Sequence, residues 1–88
     1  HTESLRSFVS QVIAPIEENG HRDWLETLDQ YLWHDRRKQE TADALGIHVT
    51  TLRYRLDRLR DVAGLDLDDP QTRLSLEMAL RVRKLIAP

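Results

Sequence analysis

The residues best equipped for chemistry in this sequence are arginines, and the chemistry open to them is hydrogen bonding to an anion or to base edges. Seven of the 13 Lys and Arg residues fall between 36 and 60 (Arg36, Arg37, Lys38, Arg53, Arg55, Arg58 and Arg60), against three carboxylates, Glu40, Asp43 and Asp57. The first 35 residues show the opposite bias, with two basic residues against seven acidic ones. The formal net charge of -2 therefore averages an acidic first segment and a basic middle one. A basic block on an otherwise acidic chain points to an anionic partner at one face, with an ordinary solvated charged face as the alternative on charge alone.

Other chemistries find little support. His1, His21, His34 and His48 share no i, i+4 ligand spacing with one another, no glycine-rich phosphate loop occurs, and no serine has a plausible catalytic base nearby in sequence. Each histidine reads as a surface or capping group, and His48 stands where it can cap a helix or touch a phosphate. Asp69 is explained by helix capping and Asp68 by turn solvation. There is no cysteine, so neither disulfides nor thiolate metal sites are available. The chain has 88 residues and is 40% hydrophobic. A domain of this size buries only roughly 60 to 65% of its extended surface, which supports one core and leaves little room for a substrate cleft. No enzyme activity, cofactor or metal is expected. No apolar run approaches the ~18 residues of a membrane span and the start of the chain has no signal-peptide pattern. The expectation is a soluble, cytoplasmic domain or a piece of a longer protein.

The elements that must position the arginines are helices. Leu5, Phe8, Val9, Val12, Ile13 and Ile16 follow one face of a 3.6-residue period, and Pro15 predicts that this helix ends or kinks near residue 14. Asn19-Gly20 is turn chemistry. Asp23, with Glu26 in capping-box spacing, opens a second helix whose stripe is Leu25, Leu28 and Leu32, flanked by Trp24 and Tyr31. Trp33 lies off that stripe and is left for a neighbouring helix or a subunit contact. Lys38 to Leu45 forms a brief helix stopped by Gly46. Leu52, Leu56, Leu59 and Ala63 then stripe a helix over 49–63, ended by Gly64. Asp69-Pro70 offers an N-cap and a first helical proline for a last helix to about Ile86. On that helix Leu74, Met78, Val82 and Leu85 share one side while Leu76 and Leu80 lie nearly opposite. A helix apolar on both sides is buried between two surfaces, and the second can be another subunit.

Two short helices joined by about three residues with a glycine in the turn describe a helix-turn-helix. Ala42 is small where the helices approach, Leu45 and Ile47 bracket Gly46, and Leu52 and Leu56 point back into the core. A helix docked in the major groove reads bases near its N-terminus and holds phosphates along its edges. Val49, Thr50, Arg53 and Tyr54 are thus the candidate base readers, with Arg53 suited to guanine and Val49 to a thymine methyl. Arg36, Arg37, Lys38, His48, Thr51, Arg55 and Arg58 are the phosphate candidates. Pairing with Asp57 or Asp61 is the competing role for Arg58 and Arg60.

The run Thr41-Ala42-Asp43-Ala44-Leu45-Gly46-Ile47-His48-Val49-Thr50-Thr51-Leu52-Arg53-Tyr54-Arg55-Leu56, followed by Gly64-Leu65-Asp66-Leu67-Asp68-Asp69-Pro70 and Leu74-Ser75-Leu76-Glu77-Met78-Ala79-Leu80, resembles the C-terminal helix-turn-helix of the PucR and CdaR type of bacterial transcription regulators. The resemblance extends from roughly Phe8 to Leu85. Members of that family often carry arginine and asparagine where this chain has Val49 and Thr50, and a Gly-Gly-Asn-like turn where it has Asp35-Arg36-Arg37. The resemblance implies a DNA-binding domain that follows a long N-terminal sensory region responding to a small metabolite, so the chain would be a C-terminal fragment with no effector site of its own.

The expectation is then an all-α, five-helix domain over residues 1–88 containing a helix-turn-helix, with no wing strands and helices at about 3–14, 23–34, 38–45, 49–63 and 70–86. Its expected role is sequence-specific binding of double-stranded DNA as a homodimer, with helix 70–86 a candidate for the subunit contact. Two rivals differ in kind. One is a helical dimerisation or interaction module, favoured by the two-faced last helix and the overall acidity. The other is a nucleoid-type architectural binder that bends DNA with little sequence preference.

Overall fold

The computed structural model describes residues 2–19 and 23–86. Among them the chain is all-helical, with α1 (Thr2–Asn19), α2 (Asp23–Trp33), α3 (Lys38–Leu45), α4 (Val49–Ala63) and α5 (Pro70–Ile86), and without a strand. The turn expected from Asn19-Gly20 falls mainly on 20–22, outside the described residues, as do His1 and His21.

One core joins four of the helices. Val9, Ile13 and Ile16 of α1, Trp24, Leu25, Leu28 and Leu32 of α2, Leu59 of α4, and Leu76, Ala79 and Leu80 of α5 form a single buried cluster. Each large side chain in it contributes about 1.5 to 3 kcal/mol by leaving water. The most extensive pairing is α1 along α5, while α3 rests on α2 and α4. The amphipathic pattern of α1 therefore finds its partner at the far end of the chain.

The first helix departs from the expected end near residue 14, running through Pro15 to Asn19. An interior proline removes one backbone hydrogen bond and costs roughly 3 kcal/mol. Here Ile13 and Ile16, on either side of the ring, are buried. Pro15 and Gln11, whose carbonyl loses its helical donor, lie exposed. Apolar burial on the opposite face holds the two halves of the helix together.

The helix ends follow from local chemistry. Gly46 closes α3 in the left-handed conformation (φ 68°), and Ile47 N–H donates to the Ala42 carbonyl at 3.0 Å. Gly64 closes α4 in the same way (φ 69°). Asp69 caps α5, its Oδ2 accepting from the backbone N–H of Thr72 at 3.1 Å and from its hydroxyl at 2.8 Å. Between α2 and α3 the chain turns through two consecutive left-handed residues that are not glycine, Asp35 (φ 53°) and Arg36 (φ 62°). The Arg36 N–H, donating to the Tyr31 carbonyl at 2.8 Å, closes that turn.

The two faces of α5 are occupied unequally. Leu76, Ala79 and Leu80 are buried, and Val82 packs partly against them. Leu74, Met78 and Leu85 are exposed on the opposite side, Leu85 at 83%.

Candidate nucleic-acid interface

The helix-turn-helix is formed by α3, the turn at Gly46-Ile47-His48, and α4. Ala42 of α3 and Leu52 of α4 are fully buried where the two helices meet, so a larger residue at 42 would force them apart. Thr41, also buried, returns its hydroxyl to the Arg37 carbonyl at 2.6 Å. The start of α4 is set by His48, whose extended backbone precedes the helix and whose Nδ1 accepts the Thr50 N–H at 3.1 Å. A neutral imidazole that accepts at Nδ1 carries its proton on Nε2. His48 is exposed, so this proton is a donor at the positive N-terminal end of α4, where anions are favoured.

The outer face of α4 begins with Thr50, Thr51, Arg53 and Tyr54, all exposed, Tyr54 at 63%. Val49 is half-buried, so only part of its side chain faces outward. Farther along, Asp57 and Asp61 share the outer side, and both are held by Arg60, at 3.5 and 3.1 Å. Asp61 is the main reason the Arg60 guanidinium binds its proton more tightly than usual, first by hydrogen bonding and then by charge. Beyond Tyr54 the outer side of α4 thus carries carboxylates as well as cations.

The remaining cations fall into two groups. Among the described residues Arg53, Arg58, Arg36 and Lys38 enter no ion pair, whereas Arg37 lies 3.8 Å from Glu40. The 36–38 cluster sits at the N-terminal end of α3 and is exposed. Arg55 is placed differently from its neighbours: it is half-buried, and its Nη1 donates to Thr27 Oγ1 of α2 at 3.1 Å. Thr27 was not singled out from sequence. The available signal was a polar residue on the buried face of α2, between Trp24 and Tyr31, which must find a partner. Tyr31 is buried beside the same turn, and desolvation pushes its phenol pKa up against the opposing pull of Arg36.

No group of His, Asp or Glu among the described residues is arranged to hold a metal ion, and no described helix is long and apolar enough to cross a membrane. The geometry offers a helix end with exposed hydrogen-bonding groups and uncommitted cations along its edges.

Comparison with known proteins bears on this geometry. The model of the PucR C-terminal helix-turn-helix domain matches residues 24–82, which include the whole of α3 and α4. The purine catabolism regulatory protein of Bacillus subtilis (strain 168) is 34% identical over 87 residues, covering 97% of this chain and 16% of that protein. The transcriptional activator PmfR of Paenarthrobacter nicotinovorans is 55% identical over 42 residues, 48% of this chain and 9% of that protein. The carbohydrate diacid regulator of Escherichia coli (strain K12) is 41% identical over 56 residues, 64% of this chain and 14% of that protein. The chain thus spans a small part of the length of the curated relatives it matches. No solved structure matches it.

Proposed function

The chain belongs to the family of PucR C-terminal helix-turn-helix domains, DNA-binding parts of non-enzymatic transcription regulators, and from that premise we propose that it binds double-stranded DNA sequence-specifically by inserting the N-terminal turns of α4 into the major groove. One observation carries the reading: Thr50, Arg53 and Tyr54 are exposed together at the capped end of α4, while the carboxylates Asp57 and Asp61 lie farther along, sharing Arg60. Arg53 is the principal base reader, able to make a bidentate pair with guanine, and Thr50, Tyr54 and the exposed part of Val49 complete the reading surface. Arg36, Arg37, Lys38, His48, Thr51 and Arg58 hold the phosphates on either side.

The exposed ridge of Leu74, Met78 and Leu85 favours a second element of the reading, a homodimer formed by α5 against its copy. Glu77, Arg81 and Lys84 lie along one side of that ridge, so an antiparallel pair of α5 helices sets the acid of one copy near the cations of the other on that side. Two such subunits address half-sites about 34 Å apart. Effector sensing, on this reading, belongs to regions of such regulators outside these 88 residues.

The test is fluorescence anisotropy of labelled duplexes across a salt series, using a random-sequence duplex and one enriched by the chain from a random library. Salt-sensitive binding with clear preference for the enriched duplex supports the reading. Equal affinity for both favours an architectural binder, and no binding at low salt favours an interaction module.

A further inference from the structure

We infer that Arg55 is a positioning residue, which fixes the rotation of the recognition helix through the buried hydroxyl of Thr27 and so governs discrimination between sequences. The inference rests on α4 being the helix that reads DNA. Thr27 is wholly buried on α2, and its hydroxyl donates to the Asp23 carbonyl at 2.7 Å. With its proton so committed, Oγ1 presents a lone pair toward α4, and Arg55 Nη1 donates to it at 3.1 Å. Five residues of helix separate Arg55 from Thr50, a rotation of about 140° around the axis of α4, which carries Arg55 away from the outer face.

The physical reason such a tie matters is directional. The rest of the contact of α4 with the body of the domain is apolar, made by Leu52, Leu56, Leu59, Val62 and Ala63, and apolar burial is not directional. A hydrogen bond from a planar, pre-organised guanidinium to a hydroxyl that is itself held at both ends resists small rotations. Arg55 lies in the same turn as Arg53 and Tyr54, so a small rotation there displaces the residues proposed to meet base edges. Phosphate contacts by long, exposed side chains tolerate that displacement; paired hydrogen bonds to a base do not.

The experiment compares the 88-residue chain with Thr27→Val, Thr27→Ser, Arg55→Ala and the Thr27→Val/Arg55→Ala double variant. Anisotropy is measured on the duplex enriched by the unaltered chain and on a scrambled duplex, across a salt series and below each variant's thermal midpoint. Thr27→Val removes no charge. It is expected to weaken the enriched complex about 5-fold, the worth of one net hydrogen bond, while affinity for the scrambled duplex and the salt slope stay unchanged. Thr27→Ser restores discrimination, and the double variant discriminates no worse than Arg55→Ala. The inference is overturned if Thr27→Val discriminates like the unaltered chain while Arg55→Ala weakens both duplexes and lowers the salt slope by about 0.9, the signature of a lost phosphate contact. Failure of the unaltered chain to bind either duplex would instead remove the groove reading itself, and this inference with it.

Discussion

The guanidinium of Arg81 stacks over the ring of Trp33, 5.3 Å from its centroid. The pair joins the end of α2 to the solvent side of α5, and the Lys84–Asp29 ion pair at 2.7 Å ties the same two helices one turn farther on. Trp33 nevertheless remains 64% exposed. Arg81 stands in line with Leu74, Met78 and Leu85 on the outer side of α5, so this corner extends the apolar ridge assigned to the subunit contact. The Met78→Glu/Leu85→Glu variant tests it. Both residues are exposed in the monomer, so stability should change by no more than about 0.5 kcal/mol. Sedimentation should show the unaltered chain dimerising with concentration and the variant remaining monomeric, with weaker binding to a duplex carrying two half-sites. Persistence of the dimer in the variant would place the contact elsewhere.

Backbone conformation yields a pair of predictions of opposite sign. Arg36 adopts φ 62° and Gly46 φ 68°. The left-handed region costs a residue with a Cβ about 1 to 2 kcal/mol relative to glycine. Arg36→Gly should therefore raise the urea midpoint, whereas Gly46→Ala should lower it. A Cβ at Gly46 would meet nothing within 4 Å, so its penalty is conformational and not steric. Arg36→Gly should also lower the DNA salt slope by about 0.9 if its side chain holds a phosphate. An Arg36→Gly chain no more stable than its parent would show that the turn bears no strain.

These contrasts also explain what could be read in advance. The helix-turn-helix was legible because its signals are local: Gly46 ends α3, His48 begins α4, and Leu52 and Leu59 fall on one buried stripe. The five-helix, strand-free architecture followed from the same local periodicities. The course of α1 was not legible. Pro15 declares its penalty locally, while the compensation comes from α5 at the opposite end of the chain. Arg55 shows the same limit. Its place on the flank of a helical wheel suits a phosphate contact, and only the fold reveals that Thr27, 28 residues earlier, lies within reach. Exposure of Leu74, Met78 and Leu85 was half legible: the wheel showed two apolar faces, and packing decided which of them α1 and α2 would cover.

Acid should act on the start of α5. The Thr72 hydroxyl, and after it the Thr72 backbone N–H, hold the Asp69 carboxyl below its ordinary 3.8. A carboxylate whose pKa is lower in the folded chain stabilises that chain fully above the unfolded value. The contribution is lost as pH falls through the folded value. Asp69→Asn keeps a cap oxygen and removes the charge, which imitates protonation. Its thermal midpoint should lie below that of the unaltered chain at neutral pH, and the gap should close as pH is lowered past 3.8. A gap that held constant to the lowest pH would mean that the charge of Asp69 contributes nothing to the cap.

Arg53 and Arg58 separate base reading from phosphate holding on a single helix. Both are exposed cations of α4 without an ion pair among the described residues, so neither substitution by alanine leaves a buried group unsatisfied. They differ in position: Arg53 lies in the first turns beside Thr50 and Tyr54, and Arg58 lies farther along on the edge of the outer face. A residue that pairs with a base loses about 1 to 3 kcal/mol of binding on truncation and relaxes preference at one position of the site. A phosphate contact weakens all sequences alike and reduces the salt slope by about 0.9. Arg53→Ala is therefore expected to flatten the base preference at a single position in a selection from random duplexes, while Arg58→Ala leaves the selected sequence intact and lowers the slope. Exchange of those two outcomes would reverse the roles, turning α4 so that its C-terminal edge approaches the bases. The carboxylates of Asp57 and Asp61 argue against that geometry, because it would bring both toward the phosphates.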